Sequence, residues 1–169
     1  MSIIIRPETS DDYEAIRSVN SFAFGQDAEA RLVDALRDGG YVRCSLVADK
    51  DGQIVGHILL SDLPIITTTG TVSALALAPM AVLPVFQRQG IGSALVRRGL
   101  GVCREQGHRI VIVLGHPDFY PKFGFSMKLA VPLSSPFGGC EAWMALELVP
   151  NALEDIVGDV QYAPPFYDL

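Results

Sequence analysis

Residues 72–105 constrain this chain more than any other stretch. A nearly unbroken apolar run, 72–82, leads through a turn into the tight loop Gln87-Arg88-Gln89-Gly90-Ile91-Gly92, and helical periodicity starts near Ser93. Gly90 and Gly92 can take positive φ at little steric cost, and they let a ligand approach the backbone closely. Successive amide N–H groups of such a loop face one concavity at a helix start, where unpaired donors and partial positive charge favour an anion. The loop therefore predicts a phosphorylated ligand held mainly by backbone, with a plain helix entry as the alternative. It is not a P-loop, since no Gly-Lys-Ser/Thr follows, nor a dinucleotide fingerprint, since Leu95 stands where the third glycine belongs.

Pro79 lies inside the apolar run. Proline cannot donate to a ladder, so this strand should be bulged or unpaired on one side there, a place for two strands to part. The following helix carries Leu95, Val96, Leu100 and Val102 and closes at Gly107. Arg109–Gly115 then reads as a second buried strand, parallel to the first through a right-handed crossover.

The remaining chain supplies the flanks. Ile3-Ile4-Ile5 is a β-branched strand ending at Arg6-Pro7. Thr9 or Ser10 caps a helix with Asp11, Asp12 and Glu14 in its first turn and Tyr13, Ile16, Val19 and Phe22 at helical spacing. A second helix spans about 27–37 and ends at Gly39-Gly40. Strands at 45–49 and 53–61 form a hairpin around Asp51-Gly52. Residues 64–71 read as a Thr-rich connection, 118–122 as one helical turn, 142–148 as the final strand, and 152–157 as a short helix in the tail. The expected fold class is α/β (α+β): a mixed central sheet with splayed central parallel strands, flanked by helices. One domain is expected over 1–169, its core at about 3–148 with a C-terminal extension at 149–169.

Composition narrows the function classes. The net charge is −6, which excludes the broad basic face of a nucleic-acid binder, although Arg88 and Arg97-Arg98 remain as local basic clusters suited to phosphate. Cys44, Cys103 and Cys140 are odd in number and widely spaced, which fits neither a disulfide framework nor a metal cluster. Residues 1–6 lack a signal-peptide profile and no apolar run is suited to span a membrane, so a cytoplasmic protein without metal, membrane or nucleic-acid partners is expected.

Residues 80–95, from Met80-Ala81-Val82-Leu83-Pro84 through Gln87-Arg88-Gln89-Gly90-Ile91-Gly92 to Leu95, resemble motif A of the GCN5-related N-acetyltransferase (GNAT) family. That motif is Q/R-x-x-G-x-G/A after a strand ending in V-x-P. Ile5-Arg6-Pro7 with Asp11-Asp12 is similar to the family's opening, and Tyr120-x-x-Phe123-Gly124-Phe125 to its motif B. The resemblance implies acetyl-CoA between the two parallel strands and an amine acceptor, in a monomer or homodimer. The pantetheine would pair with Met80, Ala81 and Val82. The pyrophosphate would rest on the amides of Arg88, Gln89, Gly90, Ile91, Gly92 and Ser93. An N–H near Ala81 would face the thioester oxygen, and Tyr120 would protonate the leaving thiolate. Transfer would be direct, with no cysteine intermediate.

The sequence departs from the family at the base. Neither 75–78 nor 110–114 carries the glutamate that often takes the amine proton there. His116, Asp118 and His57 are the candidates, with His116 the best placed, just past the strand end and in the right pKa range. Phe22, Phe24, Phe119, Phe137 and Trp143 are expected around an apolar acceptor pocket. Two other readings stay open: an acyl-CoA sensor that lost turnover, favoured by the missing carboxylate, and a nucleotide-binding protein.

Overall fold

The computed structural model describes residues 2–138 and 140–169. The chain opens with β1 (Ile3–Pro7), a 3-10 turn, and the helices α1 (Tyr13–Phe24) and α2 (Ala28–Asp38). The Asp12 carboxylate fastens this opening. It accepts from the Thr9 backbone N–H at 2.8 Å and from Arg6 Nη1 at 2.8 Å, and the Arg6 guanidinium brings its pKa down to about 2. Then come β2 (Val42–Lys50) and β3 (Gln53–Asp62), joined by a turn with Asp51 and Gly52 at φ 52° and 92°, as a two-residue hairpin requires.

The apolar run proves to be two strands. The Thr-rich connection is a small hairpin, β4 (Ile65–Thr67) and β5 (Gly70–Val72), so Val72 belongs to β5 and the central strand β6 is Leu75–Val82. The chain breaks at Ser73-Ala74, between two ladders of different sheets, which the apolar character of 72–82 conceals. α3 (Ile91–Glu105) and β7 (Ile110–Leu114) follow. A 3-10 turn at Tyr120–Phe123, the short α4 (Met127–Ala130), β8 (Leu133–Ser134) and β9 (Trp143–Glu147) lead to the tail. The expected helix at 152–157 is absent: residues 151–155 are turns, and β10 (Gly158–Val160) precedes a 3-10 turn at Pro164–Asp168.

The main sheet has six strands in the order β1-β2-β3-β6-β7-β9, and β5-β4-β10-β8 form a second sheet. β6 and β7 are parallel, as the intervening helix requires, and every other pair in the main sheet is antiparallel. Side chains alternate between two cores. Ala76, Ile110 and Ile112 face α1, α2 and the tail, where Ile16, Leu36 and Phe166 pack. Leu75, Leu77, Val111 and Val113 face α3, where Leu95, Val96 and Leu100 pack. Burial on both faces explains the unbroken apolar strands, and each fully buried Leu or Ile contributes about 1.5–3 kcal/mol.

Candidate active site

The two central strands part. β6 pairs with β7 only at Leu75↔Val111 and Ala76↔Ile112, after which they diverge. On its other side β6 stays on β3, but Ile58 faces Met80 while Leu60 faces Leu77, so β6 carries one extra residue at Ala78-Pro79, as its proline predicts. The β7 side of Met80, Ala81 and Val82 is thereby left as an open strand edge. It lines a cleft of ≈ 1430 Å³ together with Ile112, Leu114, the Gly90 loop and Tyr120.

The loop delivers the geometry its sequence announces, with one exchange. Gly90 caps α3 at φ 86°, and Arg88 at φ 62° shares the left-handed region. Gly92 does not: it lies inside α3, and its want of a side chain leaves room beside Met80, whose Cε would be 3.3 Å from an added Cβ. No side chain caps α3, and its first helical bond is donated by Ala94 to Gly90 O, so the N–H groups of Gly90, Ile91, Gly92 and Ser93 precede the ladder. Arg88, Gly90, Ile91, Gly92 and Ser93 line the cleft; Gln89 sits in the same loop, its side chain turned back to Val85 O at 3.4 Å.

Tyr120 lines the cleft from the start of the 3-10 turn after β7. Its ring is buried in a T-shaped arrangement with Phe119 and Phe125, at centroid distances of 5.0 and 5.6 Å. Burial pushes its hydroxyl pKa up to about 12. His116 and Asp118 stand exposed on the lip after β7, both lining the cleft, and His116 O accepts from the Tyr120 N–H at 3.3 Å.

Three residues that the sequence offered as candidates for the cleft stand outside it. His57 is fully buried on β3 away from the cleft: its Nε2 lies 2.9 Å from Ser45 Oγ and its Nδ1 3.3 Å from Asn20 Nδ2. Desolvation, with the Arg37 charge, holds its pKa near 3, so it remains neutral and structural. Phe22 is exposed on the outer side of α1, and Trp143 is buried in the core with Nε1 donating to Leu133 O at 3.0 Å. Phe24, Phe119 and Phe137 do line the cleft.

Sequence reasoning missed two contributors. One is Glu29, which lines the cleft from α2. Its signal was readable: it occupies the start of the stripe Glu29, Leu32, Val33, Leu36, where helical spacing calls for an apolar residue. The other is the tail, whose Tyr162, Phe166 and Tyr167 form the far wall; no local pattern marks that contact. Cys44 and Cys103 are buried against each other between β2 and α3, where Cys44 holds the Cys103 thiol in its protonated form, and neither lines the cleft. Among the described residues no group of three His, Cys, Asp or Glu side chains is placed to hold a metal, and no helix is long and apolar enough to cross a membrane.

A chain with this parted sheet has close relatives in sequence and in structure. A family model described as "Acetyltransferase (GNAT) domain" matches residues 4–127. The uncharacterized N-acetyltransferase YhbS of Escherichia coli (strain K12) is 33% identical over 166 residues, covering 97% of this chain and 98% of the relative. The uncharacterized N-acetyltransferase YjhQ of the same strain is 33% identical over 161 residues, covering 91% and 88%. The crystal structure of E. coli YhbS in complex with CoA superposes with a TM-score of 0.90 at 32% identity, covering 98% of this chain and 92% of that one. That of a GNAT family acetyltransferase from Brucella melitensis in complex with acetyl-CoA gives 0.82 at 33% identity, covering 98% of each. With the matched segment running from β1 past the parted strands and the Gly90 loop to Tyr120, the chain belongs to the GNAT family of N-acetyltransferases.

Proposed function

We propose that the chain transfers the acetyl group of acetyl-CoA directly to a primary amine inside this cleft. The observation that carries the reading is the parting of β6 from β7 after Ala76 and Ile112, with the α3 N-terminus at the same opening. An extended amide-bearing arm fits the free edge at Met80, Ala81 and Val82 as a substitute strand. The loop amides from Arg88 to Ser93 receive the pyrophosphate, where unpaired donors and the helix dipole favour negative charge. The E. coli and Brucella relatives bound to CoA and acetyl-CoA support this placement.

In the reaction the amine nitrogen attacks the thioester carbon. The C–N bond forms, the carbonyl oxygen takes negative charge, and an N–H near Ala81 stabilises that charge from a fixed position. Collapse breaks the C–S bond and releases a thiolate, which takes its proton from Tyr120. A phenol at pKa about 12 is a weak acid for an ordinary thiol of about 8.5. The mismatch narrows because a thiolate leaving in the same desolvated cleft is a stronger base than in water. The amine proton passes to His116 on the lip or to water, and the Tyr120 phenolate regains a proton from solvent as the products leave.

Release of free CoA thiol from acetyl-CoA across an amine panel tests the function. Acceptor-dependent thiol is expected. Tight acetyl-CoA binding without it would instead mark an acyl-CoA sensor.

A further inference from the structure

The acceptor end of the cleft has a distinct chemical character. The helices, the loop before β9 and the tail give it six large or charged side chains that matter here: Phe24, Glu29, Phe137, Tyr162, Phe166 and Tyr167. The rings of Phe137, Tyr162, Phe166 and Tyr167 form a continuous wall, with centroids 4.9 Å apart for Phe137–Tyr162, 5.4 Å for Phe137–Tyr167 and 4.9 Å for Tyr162–Phe166, and Phe24 lines the same cleft. Much of this wall stands in water: Phe24 is 41%, Phe137 42% and Tyr167 51% exposed. Apolar surface concentrated in one concavity is the mark of a binding site for an apolar body.

Among the described residues, Glu29 is the one charged side chain that the helices and tail contribute to the cleft. Its carboxylate accepts only from the neutral amide of Gln26, at 3.0 and 3.3 Å. Arg88 and Lys122 line the cleft from the loop and the 3-10 turn instead, and Lys122 Nζ stands 4.4 Å over the Phe119 ring. Arg88 and Lys122, with His116 and Asp118 beside them, thus line the cleft from the elements around β7 and α3, and Glu29, a carboxylate with no ion pair among the described residues, lines it from α2. The Pro164–Asp168 turn packs on α2, and Phe166 joins Leu32 in one core, so this end is bounded by folded chain. A bounded end suits a small molecule better than an extended peptide.

We propose that the acceptor is a small hydrophobic primary amine, an alkylamine or arylalkylamine, whose ammonium is received by Glu29 and whose apolar body lies on the wall of Phe24, Phe137 and Tyr167. This rests on the acetyltransfer reading above. Glu29 selects the cationic amine, which gives one proton to water or His116 before its nitrogen attacks, and the wall selects by the length of the apolar body.

The test follows thiol release by the full chain with acetyl-CoA and propylamine, butylamine, pentylamine, hexylamine or phenethylamine, against spermidine and a lysine-containing peptide. kcat/KM is expected to rise about fourfold per methylene from propylamine to hexylamine. Phenethylamine should exceed spermidine and the peptide at least tenfold. Glu29→Gln should raise the KM for hexylamine about tenfold with a smaller change in kcat, and Tyr167→Ala should flatten the chain-length series. A flat series in the wild type, or preference for spermidine or the peptide, overturns the acceptor class and leaves acetyltransfer standing. If acetyl-CoA binds by calorimetry but no amine turns over, hexylamine titrated into the CoA complex decides. Binding weakened by Glu29→Gln supports the site, and no binding overturns it. Failure to bind acetyl-CoA at all overturns the acetyltransfer reading and this inference together.

Discussion

A Cβ on Gly115 would overlap Cε2 of the Tyr120 ring and lie 2.9 Å from its Cδ2. The ring proposed to carry the proton donor therefore rests on bare backbone at the end of β7. Gly115→Ala should push the ring aside and lower kcat by at least tenfold, with the affinity for acetyl-CoA changed less than threefold, read by calorimetry beside steady-state rates. The same overlap should lower stability by about 1–3 kcal/mol, since Tyr120 is packed among Phe119, Phe123 and Phe125. A variant with wild-type kcat would show that the ring position does not matter to turnover.

Tyr120→Phe keeps the packed ring and removes only the hydroxyl. Loss of general acid assistance should lower kcat by about 100-fold, while acetyl-CoA binding and the melting temperature stay near wild type. Equal rates in both proteins from pH 6 to pH 10 would assign the proton donation elsewhere.

Gly90 caps α3 at φ 86°, and a Cβ there would meet no protein atom within 4 Å. A substitution therefore acts through backbone strain and by filling the space over the loop amides. Gly90→Val should weaken acetyl-CoA binding at least tenfold, with a stability cost of about 1–3 kcal/mol from the left-handed backbone. Calorimetric titration measures the first and urea unfolding the second. Unchanged affinity would remove the loop from the phosphate site.

His57 gives stability a pH dependence of known sign. Its folded pKa is held near 3, below its ordinary 6.5, chiefly by desolvation. The Glu8 carboxylate 4.0 Å from Nε2 does not offset this, because it is already paired with Arg37 Nη2 at 2.9 Å. Above pH 6.5 the residue is neutral in both states. As pH falls below 6.5 the unfolded chain takes up a proton that the folded chain refuses, and stability drops by about 1.4 kcal/mol per unit until pH nears 3. Urea midpoints between pH 7.5 and 4.5 should show this fall. His57→Leu should be less stable at pH 7.5, since Ser45 and Asn20 lose their partner, yet have a shallower slope. An equal slope in both proteins would show that His57 is not the titrating group.

Most of the cofactor half of the cleft was legible in the residues. Pro79 announced the irregularity opposite Leu59, and Gly90 announced the helix entry; both are local effects, one a missing donor and the other a permitted φ. Gly92 was left between two roles because glycine also serves where space is scarce, and a sequence does not distinguish a left-handed turn from a close approach to Met80. The role of His57 stayed open for a related reason: period-two alternation fixes that it shares a face with Leu59, but not what covers that face.

The second sheet shows the larger limit. β10 pairs with β4 through Val160↔Ile65 and with β8 through Gly158↔Leu133, contacts that span long separations in very short strands. No window contains both partners, so residues 64–71 read as a connection and 152–157 as a helix.

By itself the sequence determined the order of the main elements, the parallel crossover between β6 and β7, the gap beside Pro79 and the donors at the start of α3, since each follows from side-chain period, turn chemistry or a missing N–H within a few residues. Only the tertiary structure decided that the tail helps wall the cleft, that Glu29 lines it from α2 and that His57 is sealed in the core. Those placements depend on which distant surfaces bury one another, and burial of that kind is a property of the assembled layers, not of any single segment.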